Sequence, residues 1–323
     1  MGGDLSNNIA VSSDMLEYFN KLQKEIDICY SIANKARKKG LDPEFKVEIP
    51  QALDLAARVE QLVGPSNIAP KIREATKKIG DRELVSLEIA KEIVNEKKYK
   101  FNTKEDALDQ AVRTGLAILT EGVLVAPLEG IADIKIGKNK DGSDYVDLYF
   151  SGPIRSAGGT GQAMSVLIAD VVRREIGIGK FQPTEGEIER YKEEIPLYKR
   201  VQHLQYTPSV DEIDKIVRGC PICINGEGTE DEEVTGYRDL PRIGTNRLRG
   251  GACLVIAEGL CLKAPKILKH VKKLKLENWN FLDIFASKTK DAEEKKDEKI
   301  PKILPSAKYI GDVIAGRPVF SHP

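Results

Sequence analysis

The sequence predicts an α+β protein in which a helix-rich N-terminal domain precedes a mixed domain with a small antiparallel sheet. Two observations carry that reading. Apolar residues recur three and four apart through the first third of the chain, and after Pro127 the period shortens to the alternation of strands flanking a turn. The expected organisation is a helical platform over 1–126, a mixed α+β domain over 127–286 with a glycine loop and an arginine-rich stretch, a charged linker or mobile loop over 287–302, and the start of a following, truncated region over 303–323.

The first helix is expected to begin at a cap on Ser12 or Ser13 and to stop at Gly40, with Met15, Phe19, Leu22, Ile26, Cys29, Ala33 and Ala36 on one seam. Such a seam wants a partner. A docked core helix is the simpler account, because the pattern lasts only about three heptads, and an intermolecular coiled coil stays open. Pro50 is expected to open a second helix ending at Gly64, with further helices over 70–79, 82–94 and from Thr103 onward. In the last of these, Ala107, Leu108, Ala111, Val112, Leu116 and Leu119 make a wide apolar face, and the run 117–125 predicts a fully buried end.

Ile131, Ile134 and Ile136, then Tyr145, Val146, Leu148 and Phe150, flank a Lys-Asn-Lys-Asp-Gly turn over 138–142 and read as a hairpin. A calcium-binding EF-hand fails there, since aligning Gly142 with the loop glycine puts Gly137 and Leu148 where carboxylates are needed. From Ser151 the pattern is turn, glycine loop and a helix over 163–176, followed by shorter helices near Glu185 and Ser209. Short strands are expected over 221–225 and 233–237, then an apolar helix over 251–262 stopped by Ala264-Pro265. Residues 287–301 carry too few apolar side chains to offset the entropy of ordering. The chain resumes an apolar pattern and stops at Pro323, an odd place for a domain to end, which suggests truncation.

The composition, 323 residues with 41% hydrophobic and 31% charged, excludes a collagen, a mini-protein and a wholly disordered chain. No apolar run approaches the ~20 residues of a membrane span, and the start lacks the pattern of a signal peptide, so a cytoplasmic protein with no membrane partner is expected. Fifty basic against 50 acidic residues argues against a simple DNA-coating protein, although local basic patches stay possible. Five unevenly spaced cysteines do not make a disulfide framework and fit a reducing compartment.

Three constellations could carry chemistry. The glycine loop over 150–163, with Arg155, Ser156, Gly158, Gly159 and Thr160 before a helix, could hold an anion on backbone N–H groups and the helix dipole. It could equally be a tight strand-to-helix connection without a ligand. A turn-rich stretch holding Arg238, Arg242, Arg247 and Arg249 suits phosphate contact, with an internally paired loop as the alternative. Lys263, Lys266, Lys269, His270, Lys272, Lys273 and Lys275 read as a solvated face snorkelling around Ile267, Leu268, Val271 and Leu274 rather than as a base reader. Cys220 and Cys223 are half of a zinc site with no second pair in the sequence pattern, and no metal is expected. No Asp-x-Asp strand motif offers paired carboxylates for magnesium, and the three histidines are scattered, so no catalytic residue is assigned.

At Tyr149-Phe150-Ser151-Gly152-Pro153-Ile154-Arg155-Ser156-Ala157-Gly158-Gly159-Thr160 the sequence resembles the large subunit of the archaeal family D DNA polymerase, also called DNA polymerase II. The likeness extends through Val47-Glu48-Ile49-Pro50-Gln51-Ala52, residues 57–65, Leu204-Gln205-Tyr206, Gly236-Tyr237-Arg238-Asp239-Leu240, Thr245-Asn246-Arg247-Leu248-Arg249-Gly250-Gly251 and Ile314-Ala315-Gly316-Arg317-Pro318-Val319-Phe320, covering nearly the whole chain in order.

The resemblance implies a two-subunit replicative enzyme whose large subunit synthesises DNA from two double-psi barrels with magnesium held by aspartates. Its small subunit is a phosphodiesterase-type proofreading exonuclease, and a sliding clamp and DNA are further partners. The family's catalytic Asn-Ala-Asp-Phe-Asp-Gly-Asp type motif and its zinc modules lie beyond this region, and nothing here matches the catalytic motif. By implication this is the N-terminal region, needing no cofactor of its own. Its expected role is folding, subunit assembly and, as an option, DNA guidance. Met15, Phe19, Leu22 and Ile26 are the assembly candidates, including for self-association. Arg155, Ser156, Gly158, Gly159, Thr160, Arg238, Arg247 and Arg249 are the candidates for phosphate, DNA or interdomain contact. The rival readings are a self-sufficient enzyme binding a phosphorylated ligand and a pure oligomerisation module.

Overall fold

The computed structural model describes residues 12–42, 52, 54–95, 98–121, 124–227, 240–243 and 251–285. Helix α1 spans Ser13–Lys38; Ser12 caps it by accepting from the Met15 N–H at 3.3 Å, and Gly40 ends it at φ +69°. The boundaries are those the capping residues predict. The environment is not: no residue of α1 is buried, and Met15, Phe19, Leu22 and Ile26 are 51, 44, 42 and 40% exposed. The docked-core reading of this seam is therefore corrected, because the rest of the described chain completes its own core without it.

Helices α2 (Leu55–Leu62), α3 (Ala69–Ile79), α4 (Arg82–Ile93) and α5 (Lys104–Leu119) follow. The second starts later than expected, at the Asp54 cap rather than Pro50, which lies outside the described residues. Asp54 is the stronger signal because its carboxylate accepts from the Ala57 N–H at 2.8 Å. Thr103 and Asp106 form a reciprocal capping box at the start of α5. Beyond α5 the expected burial stops short, since Val125 is exposed.

Strands β1 (Ile131–Lys138) and β2 (Asp144–Phe150) pair antiparallel, from Ile131 opposite Phe150 to Lys138 opposite Asp144. Their turn has Gly142 at φ +83°, and the Ser143 hydroxyl, with its N–H, holds the Asp141 carboxyl down at about 2. The third strand, β3 (Cys223–Gly226), pairs with β2 in parallel, Asp147 facing Cys223. The sheet is thus mixed, not antiparallel. A parallel partner needs a long crossover, and the chain supplies it with helices α6 (Gly158–Glu175), α7 (Glu185–Val201) and α8 (Val210–Gly219). The strand expected over 233–237 and everything after residue 285 lie outside the described residues.

Helix α6 is the axis of the core. From Gly161 to Arg173 every one of its residues is buried, so it is enclosed on all sides by α4, α5 and a helical stretch from Gly251 whose Val255–Cys261 part is π-helical. Helix α9 (Ala264–Lys273) follows, with Pro265 in its first turn. Ala264-Pro265 therefore restarts the helix rather than only stopping it. Buried side chains from Ala56 to Phe285 form one cluster that runs through residue 127, where the period of the sequence changes.

One face of the sheet buries an acid. Asp147 is only 4% exposed, and burial raises its carboxyl to about 6 despite hydrogen bonds from the Cys223 thiol, the Tyr149 hydroxyl and the Asn225 amide. A folded-state value above the ordinary 3.8 means that the stabilisation is complete below about pH 4 and is lost as the pH rises through 6. Asp147→Asn is expected to exceed the parent in unfolding free energy by roughly 3 kcal/mol at pH 7 and to lose that advantage near pH 4. Urea unfolding across that range checks it; a constant difference between the two proteins would contradict the assignment.

Candidate functional site

The glycine loop is built differently from the sequence expectation. Ser151 leaves β2 with its N–H on the Gly130 carbonyl at 3.1 Å, and residues Gly152–Ala157 coil as a 3-10 helix. Gly158 turns the chain at φ +65°, a conformation that strains any residue with a Cβ, and α6 begins there, five residues before the expected start at 163. Gly159 then sits against the backbone of the π-helical stretch: a Cβ on it would overlap the Glu258 carbonyl oxygen and come within 3.0 Å of the Lys263 side chain. Gly259 returns the approach, with Gln162 Cβ 3.1 Å from where its own Cβ would stand. The glycines bring two helices together, and the space over Gly159 is filled by protein.

Arg155 turns inward. Its Nη2 donates to the His203 carbonyl at 2.6 Å and to Glu258 Oε1 at 3.3 Å, and the same oxygen accepts the Gln205 N–H at 2.9 Å. Glu258 is buried whereas the Arg155 side chain is half exposed. The pair ties three segments, the 3-10 turn, the π-helical stretch and the chain after α7, into one corner. Ser156 is exposed and its hydroxyl donates to the Pro153 carbonyl at 2.9 Å. Thr160 lines an open cleft of ≈ 450 Å³ with Ala157, Gly161, the start of α4 and Lys266. Charges in that cleft are matched internally: Arg82 meets Glu121, and Glu83 takes both Lys266 and His270.

Arg238, Arg247 and Arg249 lie outside the described residues, but the middle of their stretch is anchored. Arg242 grips Glu187 with both arms, Nε to Oε1 at 2.7 Å and Nη2 to Oε2 at 2.6 Å, and its guanidinium lies over the Tyr145 and Phe181 rings at 5.3 and 5.0 Å. Glu187 also closes the capping box of α7 by accepting the Thr184 N–H at 2.7 Å. Sequence reasoning missed Glu187 and Glu258 as partners. The capping-box spacing Thr184-x-x-Glu187 was a usable signal for the first, and nothing local pointed to the second, 103 positions from Arg155.

Cys220, Cys223, Cys253 and Cys261 are buried, and burial pushes the Cys220 thiol up to about 12, which keeps it protonated. Among the described residues no group of three or more His, Cys, Asp or Glu converges as a metal site would require, and no helix is long and apolar enough to cross a membrane.

Two substitutions probe this corner. Arg155→Ala should lower the unfolding free energy by about 1–3 kcal/mol, below the cost of breaking a fully buried pair because half of the guanidinium is already hydrated. Gly159→Ala should cost about 1–3 kcal/mol through overpacking on the Glu258 carbonyl. Urea midpoints measure both, and parental values for either would refute the corresponding contact.

Residues 17–288 match the family described as "DNA polymerase II large subunit DP2, N-terminal". Relatives named DNA polymerase II large subunit include those of Methanosarcina barkeri, 54% identical over 97% of this chain, and Thermoplasma volcanium, 54% identical over 96%. The relative from Archaeoglobus fulgidus is 51% identical over 96% of this chain. The chain spans 26–27% of the length of these three curated relatives. The glycine turn, the Arg155 corner and the Arg242 anchor all fall inside the matched span, and the chain belongs to the DNA polymerase II large subunit family, whose N-terminal region it represents.

Proposed function

We propose that this chain serves folding and subunit assembly as the N-terminal region of the polymerising subunit of an archaeal replicative DNA polymerase, working in the cytoplasm. The observation that carries the assembly role is α1: a capped, 26-residue helix whose apolar seam has no cover among the described residues. A contiguous exposed apolar stripe marks an interaction surface. The small exonuclease subunit, a sliding clamp and DNA are the partners of the whole enzyme in this reading, and self-association through α1 is one route to assembly. Template-directed synthesis with magnesium held by aspartates is assigned to other parts of the large subunit, because the family's catalytic aspartate motif has no match in this sequence. A self-sufficient enzyme binding a phosphorylated ligand at the glycine loop is disfavoured, since Gly159 and Arg155 are occupied by Glu258.

Purified chain with primer–template, nucleotides and magnesium is expected to show no extension. Extension that survives repurification and is abolished by altering a carboxylate of this chain would overturn the assignment. For α1, Leu22→Ala should change the unfolding free energy of the isolated chain by less than about 0.5 kcal/mol, as for an exposed site. Leu22→Asp with Ile26→Asp should abolish co-purification with the remainder of the polymerase or, in the isolated chain, any self-association seen by light scattering. Unimpaired association of the double variant would rule the seam out.

A further inference from the structure

The polymerase reading leaves open which surface of this region meets nucleic acid, and the glycine loop is not free to do so, since Arg155 is held by Glu258 and His203. Among the described residues the strongest uncommitted charge lies on α9. Its buried face is apolar, with Ile267, Leu268 and Val271 in the core, while Lys269, Lys272, Lys273 and, just beyond the helix, Lys275 are exposed. Lys266 and His270, the helix's other basic groups, are engaged by Glu83, which clips α9 to α4. Among the described residues no carboxylate lies within ion-pair distance of Lys269, Lys272, Lys273 or Lys275.

This arrangement opposes local stability in two independent ways. Lys269 stands three and four residues from Lys272 and Lys273, spacings at which like charges repel on a helix. A favourable helix dipole compensates part of that for the last turn. Lys275 occupies the left-handed position after the helix, at φ +52°, where its N–H closes on the Lys272 carbonyl at 3.2 Å and the Leu276 N–H on Val271 at 3.0 Å. Glycine or asparagine is the usual choice there, so a lysine adds a fourth charge at the cost of backbone strain.

The chemistry selects the partner. Lysine is depleted in protein–protein interfaces, and no large hydrophobic side chain is exposed on α9 to form the core of one. The same absence leaves no aromatic platform on which unpaired bases could stack. Lys269, Lys272 and Lys273 fall within about 6 Å of rise on one helix, with Lys275 just beyond it, so one element presents four positive charges together, which suits the high charge density of a duplex's phosphates. Resting on the polymerase reading, we infer that Lys269, Lys272, Lys273 and Lys275 form a contact surface for the phosphate backbone of double-stranded DNA.

The test is a fluorescence anisotropy titration of the 323-residue chain with a labelled duplex at several salt concentrations. Replacing the four lysines with alanine should weaken binding at least tenfold and lower the salt slope by about 3.6, with an unchanged or higher melting temperature. Lys77→Ala with Lys78→Ala, exposed on α3, should do neither. Lys275→Gly should raise the melting temperature while weakening binding, which separates the charge from the fold. Unchanged affinity and slope in the fourfold variant would overturn the inference. So would polyglutamate competing as well as DNA at equal charge, which would mark an acidic protein partner. A parent chain that binds no duplex would overturn it too, while leaving the assembly role, read by co-purification, untouched.

Discussion

The close approach of α6 to the π-helical stretch is the constraint on which the rest of the described structure depends. Two helices touch here through backbone and Cβ atoms rather than through long side chains, with Gly159 under the Glu258 carbonyl and Gly259 over Gln162. Only residues without a Cβ permit that distance. Because α6 is buried on every side from Gly161 to Arg173, its placement sets where α4, α5 and the π-helical stretch can lie. The turn at Gly158 and the 3-10 coil before it then follow as the route from β2 into this crowded axis.

Around that axis, buried carboxylates hold the connecting segments. Glu258 takes Arg155 and the Gln205 N–H, Glu187 takes Arg242 and the Thr184 N–H, and Asp170 takes Arg173, Arg174 and the Trp279 indole N–H at 2.8 Å. Each ties a loop to a helix from far along the chain. A buried ion pair adds little net stability over an apolar contact, but removing one member is costly because the other is left unsolvated. Such pairs therefore act as latches that fix where otherwise irregular segments run. They also account for why Arg155 and Arg242 are committed within the protein.

Among the described residues, the apolar seam of α1 and the lysines on and just after α9 escape this internal accounting, and their chemistries are opposite. An exposed seam of Met15, Phe19, Leu22 and Ile26 gains by covering itself with apolar surface. Unpaired lysines gain by meeting a polyanion and releasing its counterions. On the proposed reading, the first surface serves to hold protein and the second to approach DNA.

The sequence by itself determined the local structure. Ser12, Thr103, Thr184 and Ser209 cap the helices that follow them, and the alternation around residues 138–142 forms the hairpin it predicts. It also determined the family, because the resemblance rests on strings of residues that need no coordinates. What tertiary structure alone decided is whatever depends on residues distant in the chain. The parallel pairing of β3 with β2, the inward turn of Arg155 to a carboxylate 103 positions away and the exposure of the α1 seam are of this kind. Caps and turns are satisfied within four residues, so their signals are local. Whether an apolar stripe is covered, or an arginine paired, is settled by the packing of the whole chain, and no window of sequence contains that information.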